Sequence, residues 1–245
     1  MDKALYIAMS GAKQNMLAQR AHSNNLANVN TTGFKEDFAQ ARAMSVFGEH
    51  FPTRAYAMTE RPGTKFSQGP LIETGNRLDL AIKGEGWLAV QTGQGGEAYT
   101  RAGDLQVDVN GILRTGSGLP VLGEGGQIAL PPGEEVEIGA DGTITVIPAD
   151  GSALTQIDRL RLVKPDPTLI EKRGDGLIHV KGDQPLPETD ADIRVEPGFL
   201  EGSNVNAVAS LTEILSLSRQ YEMQIKLMSQ ADQISQSSAR LLQFS

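Results

Sequence analysis

Apolar positions fall into three regimes along the chain. Near the start, Leu5, Met9, Ala12, Met16, Gln19, Ser23 and Leu26 recur at alternating intervals of four and three, the spacing of a heptad seam on an α-helix. Ala4, Ala8, Gly11 and Ala18 flank this seam with small side chains that let a neighbouring backbone come close. Near the end, Leu211, Ile214, Ser218, Tyr221, Ile225 and Met228 repeat the spacing. Beyond Met228 the apolar positions become Ala231, Ile234, Ser238 and Leu241, a three-residue phase shift that predicts local overwinding of a coiled coil. Between these regimes, residues 78–82, 87–91, 105–109, 112–115, 136–138 and 143–147 are short apolar or alternating runs, and 160–163, 177–180 and 193–196 continue them. Asn110-Gly111 and Asp141-Gly142 separate adjacent runs and predict tight hairpin turns with positive φ.

The distribution of turn formers sharpens this division. Of 27 Gly, residues 1–60 hold three (Gly11, Gly33, Gly48) and residues 203–245 none, which leaves 24 in the middle with 11 of the 12 Pro. The expected organisation is an N-terminal helical arm over 1–30, an extended or mobile connecting segment over 31–75, a β-rich domain over 76–200 and a C-terminal helical arm over 201–245. The fold class that follows is a mainly β central domain, an antiparallel sandwich or partial barrel, flanked by long N- and C-terminal helices that pair as a coiled coil on assembly.

Composition narrows the function. A net charge of −8 opposes a groove that neutralises phosphates, so nucleic acid is not an expected partner. The absence of Cys excludes a disulfide framework and thiolate zinc sites. No ordinary signal peptide or apolar membrane span is visible, which on these criteria alone predicts a soluble cytoplasmic protein.

Candidate chemistry is sparse. Gly84, Gly86 and Ala89 form a G-x-G-x-x-A pattern after a strand, with Asp104 further on, but a dinucleotide site needs a helix there. Trp87-Leu88-Ala89-Val90-Gln91 alternates as a strand, so a glycine hairpin is expected instead. His22, His50 and His179 are scattered, and Asp190 with Asp192 offers too few ligands for a calcium motif. The expectation is a protein that is not an enzyme, with no cofactor, no metal and no small-molecule substrate.

Four blocks carry a family resemblance. Asn24-Asn25-Leu26-Ala27-Asn28-Val29-Asn30-Thr31-Thr32-Gly33-Phe34-Lys35 resembles the N-terminal signature of the bacterial flagellar axial proteins of rod and hook. Thr74-Gly75-Asn76-Arg77-Leu78-Asp79-Leu80-Ala81-Ile82, leading to Gly84 and Gly86-Trp87, is similar to their central motif, and Tyr99-Thr100-Arg101-Ala102-Gly103 to the next block. Gly198-Phe199-Leu200-Glu201-Gly202-Ser203-Asn204-Val205-Asn206, followed by Arg219, Tyr221-Glu222 and Lys226, resembles the C-terminal signature. Trp87 in place of Phe and the run Val121-Leu122-Gly123-Glu124-Gly125-Gly126 resemble proximal-rod members. Distal-rod members are the nearest alternative, with a Phe pair near residue 87 and Asn-Glu-Met where this chain has Ala209-Ser210-Leu211.

The resemblance implies a structural subunit of the flagellar basal body in the periplasm, exported by the flagellar type III apparatus without a cleaved signal, which replaces the cytoplasmic expectation. It implies as partners the chain itself, neighbouring proximal- and distal-rod proteins and the export apparatus, and paired terminal helices lining the tube wall. The expected assembly interface is Leu5, Met9, Ala12, Met16, Gln19, Ser23, Asn24, Leu26, Asn28, Leu211, Ile214, Ser218, Tyr221, Ile225, Met228, Ile234 and Leu241. Asn24 and Asn28, one turn apart, read either as a polar ladder or as a helix terminus. Arms this polar are expected to be largely disordered when isolated. A different class, a periplasmic peptidoglycan-binding β-domain with oligomerisation arms, would need aromatic platforms, for which Trp87, Phe66, Tyr99 and Phe199 are the candidates.

Overall fold

The computed structural model describes residues 2–38, 41–47, 52–59, 63–131, 135–148, 154–182 and 184–243, with side chains left undescribed at 2–4, 41–47, 52–59, 238–239 and 241–243. His50 and the side chains of Ser238 and Leu241 therefore lie outside the described residues. The chain divides into a helical unit, Met1–Asn28, Glu36–Lys65 and Val205–Ser245, and a β unit, Val29–Lys35 and Phe66–Asn204.

The helical unit contains α1 (Asp2–Ala27), β1 (Asp37–Phe38), β2 (Ala41–Phe47), β3 (Pro52–Thr59), β4 (Gly63–Thr64) and α2 (Ala207–Gln243). The two helices lie against each other, antiparallel β2–β3 and β1–β4 pairs form from the connecting segment, and α1 also contacts β3. The helix pairing is thus present within one chain. Asn206 starts α2 as its N-cap, its Oδ1 accepting from Ala209 N at 3.1 Å. At about 1.5 Å per residue α2 runs ~55 Å. No described helix is long and apolar enough to cross a membrane. Among the described residues, Ala12 and Val205 are the only buried apolar side chains in this unit.

The β unit holds the hydrophobic core. Its strands are β5 (Leu71–Glu73), β6 (Leu80–Lys83), β7 (Trp87–Gln91), β8 (Glu97–Thr100), β9 (Leu105–Val107), β10 (Leu113–Thr115), β11 (Leu122–Gly123), β12 (Gly126–Gln127), β13 (Glu135–Ile138), β14 (Thr143–Ile147), β15 (Thr155–Arg159), β16 (Leu162–Val163), β17 (Ile170–Lys172), β18 (Ile178–Val180), β19 (Arg194–Pro197) and β20 (Phe199–Glu201). All paired strands run antiparallel, in a five-stranded sheet β16-β7-β8-β18-β17, a three-stranded sheet β13-β14-β15 and two-stranded pairs β19-β6, β20-β5, β10-β9 and β11-β12. The period of two along β7 shows how the core is divided. Leu88 and Val90 enter the larger cluster with Leu80, Leu105 and Ile144, while Trp87 and Ala89 enter a second one with Tyr99 and Ile178.

Both Gly-containing turns join antiparallel pairs as expected, but in a different form. In each turn only the glycine takes positive φ, Gly111 at +80° and Gly142 at +82°, while Asn110 and Asp141 do not. Asp108 N donates to Ile112 O and Gly111 N to Asp108 O, which makes a three-residue loop closed by a glycine bulge rather than a two-residue turn. The Gly84–Gly86 turn also differs from a hairpin. It links β6 to β7, but β6 pairs with β19 and β7 with β8 and β16.

Candidate assembly site

In the helical unit the two expected seams each resolve into two faces. On α1, Leu5, Gln19 and Leu26 are half-buried and Ala12 is buried, whereas Met9, Met16 and Ser23 are exposed. Ala8, Asn15 and His22 complete the covered line, so it steps by three and four through small and polar residues. On α2, Ile214, Ser218, Tyr221 and Met228 are half-buried, whereas Leu211, Ile225 and Ile234 are exposed. The covered line there is Ala207, Ser210, Ile214, Leu217, Tyr221, Gln224, Met228 and Ala231. It keeps heptad spacing as far as Ala231; where the expected phase shift falls, Ile234 is exposed and the side chains of Ser238 and Leu241 lie outside the described residues. Outward stripes remain: Tyr6, Met9, Met16 and Leu17 on α1, and Val208, Leu211, Leu215, Ile225, Leu227 and Ile234 on α2.

The covered faces are polar where a soluble helix pair is usually apolar. Gln14 Oε1, Asn15 Nδ2, His22 Nδ1, Ser210 Oγ and Gln224 Oε1 are buried with no hydrogen-bond partner among the described residues. Gly11 lies beneath Gln224, and a Cβ there would sit 2.6 Å from its Nε2.

The end of α1 is built by adjacent asparagines. Asn28 Nδ2 donates to Asn24 O at 2.9 Å, a contact that closes the helix terminus through the Asn24 backbone. The intervening Asn25 is fully buried. Its Nδ2 donates to Asp37 O at 2.6 Å and its Oδ1 accepts from Asp37 N at 2.9 Å, mimicking a strand partner for β1. Thr64 Oγ1 on β4 donates to Asp37 Oδ1 at 3.1 Å. Asn25 is a positioning residue that the heptad pattern does not mark.

In the β unit, parts of all four family blocks converge on Glu201, which is fully buried at the end of β20. Lys35 Nζ donates to Glu201 Oε1 at 2.5 Å and to Ser67 O at 3.0 Å. Arg101 Nη1 donates to Glu201 Oε2 at 2.8 Å and to Ile82 O at 3.1 Å, and Nη2 to Gly84 O at 2.6 Å. Gly69 N adds a donor to Oε1 at 3.0 Å. Trp87 spreads beneath both cations, with Arg101 at 5.4 Å and Lys35 at 6.0 Å from its ring centre. Burial pulls Lys35 and Arg101 below their ordinary values, and the hydrogen bonds and charge of Glu201 oppose that. A buried carboxylate between two cations fixes geometry, because removing it strands both cations in a dry site.

Gly33 brings the first block into this node. Its φ is +68°, and a Cβ would stand 2.3 Å from Ala102 N and from the Arg101 carbonyl carbon, so only glycine fits. Gly33 N donates to Glu201 O at 2.7 Å, and Asn204 N to Phe34 O at 3.3 Å. The segments by which the chain joins and leaves the β unit are thereby tied side by side. Lys172 Nζ donates to Lys35 O at 2.7 Å and stands 3.7 Å from the Phe34 ring centre.

The other candidates take structural positions. Tyr99 is fully buried with its hydroxyl on Glu97, and Trp87 is 6% exposed, so neither presents a stacking face. Burial and then Glu97 push the Tyr99 hydroxyl above the ordinary tyrosine range. Phe66 stands edge-on to Trp87, and Phe199 is half-buried on β20. His22 lies on α1 of the helical unit, and His179 on β18 meets Asp175 at 2.8 Å. Asp190 accepts from Asp192 N at 2.9 Å in a local turn.

Comparisons with known proteins match this layout. Residues 5–35 match the model of the flagella basal body rod protein, 81–146 that of the flagellar hook protein FlgE/F/G D1 domain, and 196–241 that of the flagellar basal body rod FlgEFG protein C-terminal region. The flagellar basal-body rod protein FlgF of Escherichia coli (strain K12) is 41% identical over 239 residues, covering 95% of each chain. FlgF of Caulobacter vibrioides is 37% identical over 253 residues, covering 99% of this chain and 98% of the relative. FlgG of Agrobacterium fabrum is 30% identical over 258 residues, covering 95% and 96%. The chain belongs to the flagellar basal-body rod protein family, a structural rather than an enzymatic one.

Proposed function

We propose that this chain is a subunit of the proximal rod that polymerises through its terminal helices into the helical drive shaft crossing the periplasm. The observation that carries this reading is a helix pair with almost no apolar core of its own and apolar stripes left outside. Met9 and Met16 on α1 and Leu211, Ile225 and Ile234 on α2 dock on neighbouring subunits, copies of this chain and adjoining proximal- and distal-rod proteins. Leu5, Ala12, Gln19, Leu26, Ile214, Ser218, Tyr221 and Met228 hold the pair itself together. The FlgF relatives, at 41% and 37% identity against 30% for a FlgG, favour the proximal position over the distal one. Delivery is by the flagellar type III export apparatus without a cleaved signal, and a chain with no Cys suits threading in an unfolded state.

Head-to-tail docking of different stripes does not close on itself and so extends as a filament. Basal bodies purified from cells carrying Leu211→Asp or Ile225→Asp are expected to lose the chain, with the β unit still folded. Normal incorporation of both variants overturns the docking role of these stripes.

A further inference from the structure

Every methionine whose side chain is described stands on one of the two helices. Met9 and Met16 on α1 are 54% and 56% exposed, and Met223 on α2 is 56% exposed. Met228, further along α2, is half-buried on the covered line. Met9 and Met16 are two turns apart, so they share one face of α1, about 10 Å apart along its axis. Tyr6 stands one turn before Met9 at 57% exposure, and Leu227 one turn after Met223, also at 57%. The three exposed thioethers thus belong to the outward apolar stripes.

Methionine is unbranched and polarisable, which suits a surface that meets more than one kind of neighbour. The same sulfur is open to hydrogen peroxide for as long as the chain is free. A sulfur lone pair attacks one peroxide oxygen, so an S–O bond forms as the O–O bond breaks. Sulfur gives up two electrons, and the other oxygen takes the proton of the transferred one and leaves as water. The product is a polar sulfoxide. A sulfoxide reductase reverses the change, with a dithiol giving two hydrogens to the oxygen and closing to a disulfide.

We propose that Met9, Met16 and Met223 are a peroxide-sensitive modification site that withholds an oxidised chain from assembly. On a free helix, water satisfies the sulfoxide oxygen. Docking against a neighbour's apolar stripe removes that water and supplies no donor in its place. The inference rests on the docking role of the stripes proposed above, while its first readout is made on the free chain.

Hydrogen peroxide is added to the purified full-length chain, and oxidation is followed residue by residue by peptide mass spectrometry. Met9, Met16 and Met223 should gain oxygen at least about fivefold faster than Met228. Equal rates at all four overturn the proposal. Incorporation is then read in purified basal bodies. The chain carrying Met9→Gln, Met16→Gln and Met223→Gln has a polar group of similar length at each position and nearly unchanged helix propensity. It should be at least about tenfold scarcer there than the chain carrying Met9→Leu, Met16→Leu and Met223→Leu. Equal abundance of the two chains overturns the proposal, and the docking role still stands if Leu211→Asp is lost. Normal incorporation of both Leu211→Asp and Ile225→Asp overturns the docking role and this proposal with it.

Discussion

Lys35 and Glu201 stand 166 positions apart in sequence and meet at 2.5 Å in a site that excludes water almost entirely. Arg101 takes the other carboxylate oxygen at 2.8 Å, so one buried anion serves two buried cations. The three residues are therefore not equivalent. Lys35→Met leaves Arg101 and Glu201 as a neutral pair, whereas Glu201→Gln leaves two cations facing each other without a counter-charge. Glu201→Gln should cost about 3–5 kcal/mol and Lys35→Met distinctly less. Urea unfolding of the purified variants checks the order, and a Lys35→Met loss equal to that of Glu201→Gln contradicts it.

Asn25 makes a narrower prediction. Its side chain donates to and accepts from the Asp37 backbone, a reciprocal pair that an aspartate cannot reproduce. Asn25→Asp keeps the acceptor but faces a carboxylate oxygen to the Asp37 carbonyl, so it should be at least as damaging as Asn25→Ala. Each should free the segment of β1, at about 1–3 kcal/mol, with faster amide exchange at Asp37 as the readout. Exchange at Asp37 that is unchanged in both variants removes Asn25 from its positioning role.

The contrast between Asn25 and β7 shows what a sequence can and cannot display. Trp87–Gln91 was legible because alternation of side chains along a strand is written in adjacent residues. The Glu201 node was not, since its members come from segments 100 and 166 positions apart and buried charge has no local period. Its only trace lay in Lys35, Arg101 and Glu201 each falling inside a family block. On the arms, hydrophobicity marked Met9, Met16, Leu211 and Ile225 as wanting cover but did not say by what. Small and polar residues such as Ala8, Asn15 and Gln224 cover the inner face instead, with Gly11 leaving the room that Gln224 fills. The Asn110-Gly111 turn was placed correctly, yet its loop length depended on Asp108, whose carboxylate accepts from Asn110 N at 2.8 Å and Ile112 N at 3.0 Å.

The unpaired Gln224 Oε1 implies that the helix pair is weaker in one chain than its length suggests. Gln224→Met replaces a buried acceptor with a side chain of similar length and no polar requirement. The isolated chain should gain roughly 1 kcal/mol in the helical transition, seen as a higher melting midpoint by far-ultraviolet circular dichroism. An unchanged or lowered midpoint shows that Gln224 is satisfied by solvent in the free chain.

Asp104 supplies a pH-dependent test of the β unit. It pairs with Asp79 in an isolated bridge, and its Oδ1 is buried with no partner among the described residues. Burial, helped by the charge of Asp79, raises the Asp104 carboxyl above its ordinary value, against backbone hydrogen bonds from Asp104 and Gly116 that lower it. The folded chain therefore holds this proton more tightly than the unfolded one. Stability is full below the ordinary carboxylate value and falls as pH rises through the raised folded value. At neutral pH the charged group is a cost, and Asp104→Asn should remove it for a gain of about 1 kcal/mol, or roughly 2–4 °C in melting temperature. In acid the native residue is itself neutral, so the two proteins should converge. A difference that stays constant from neutral to acid pH would assign the effect to packing rather than to charge.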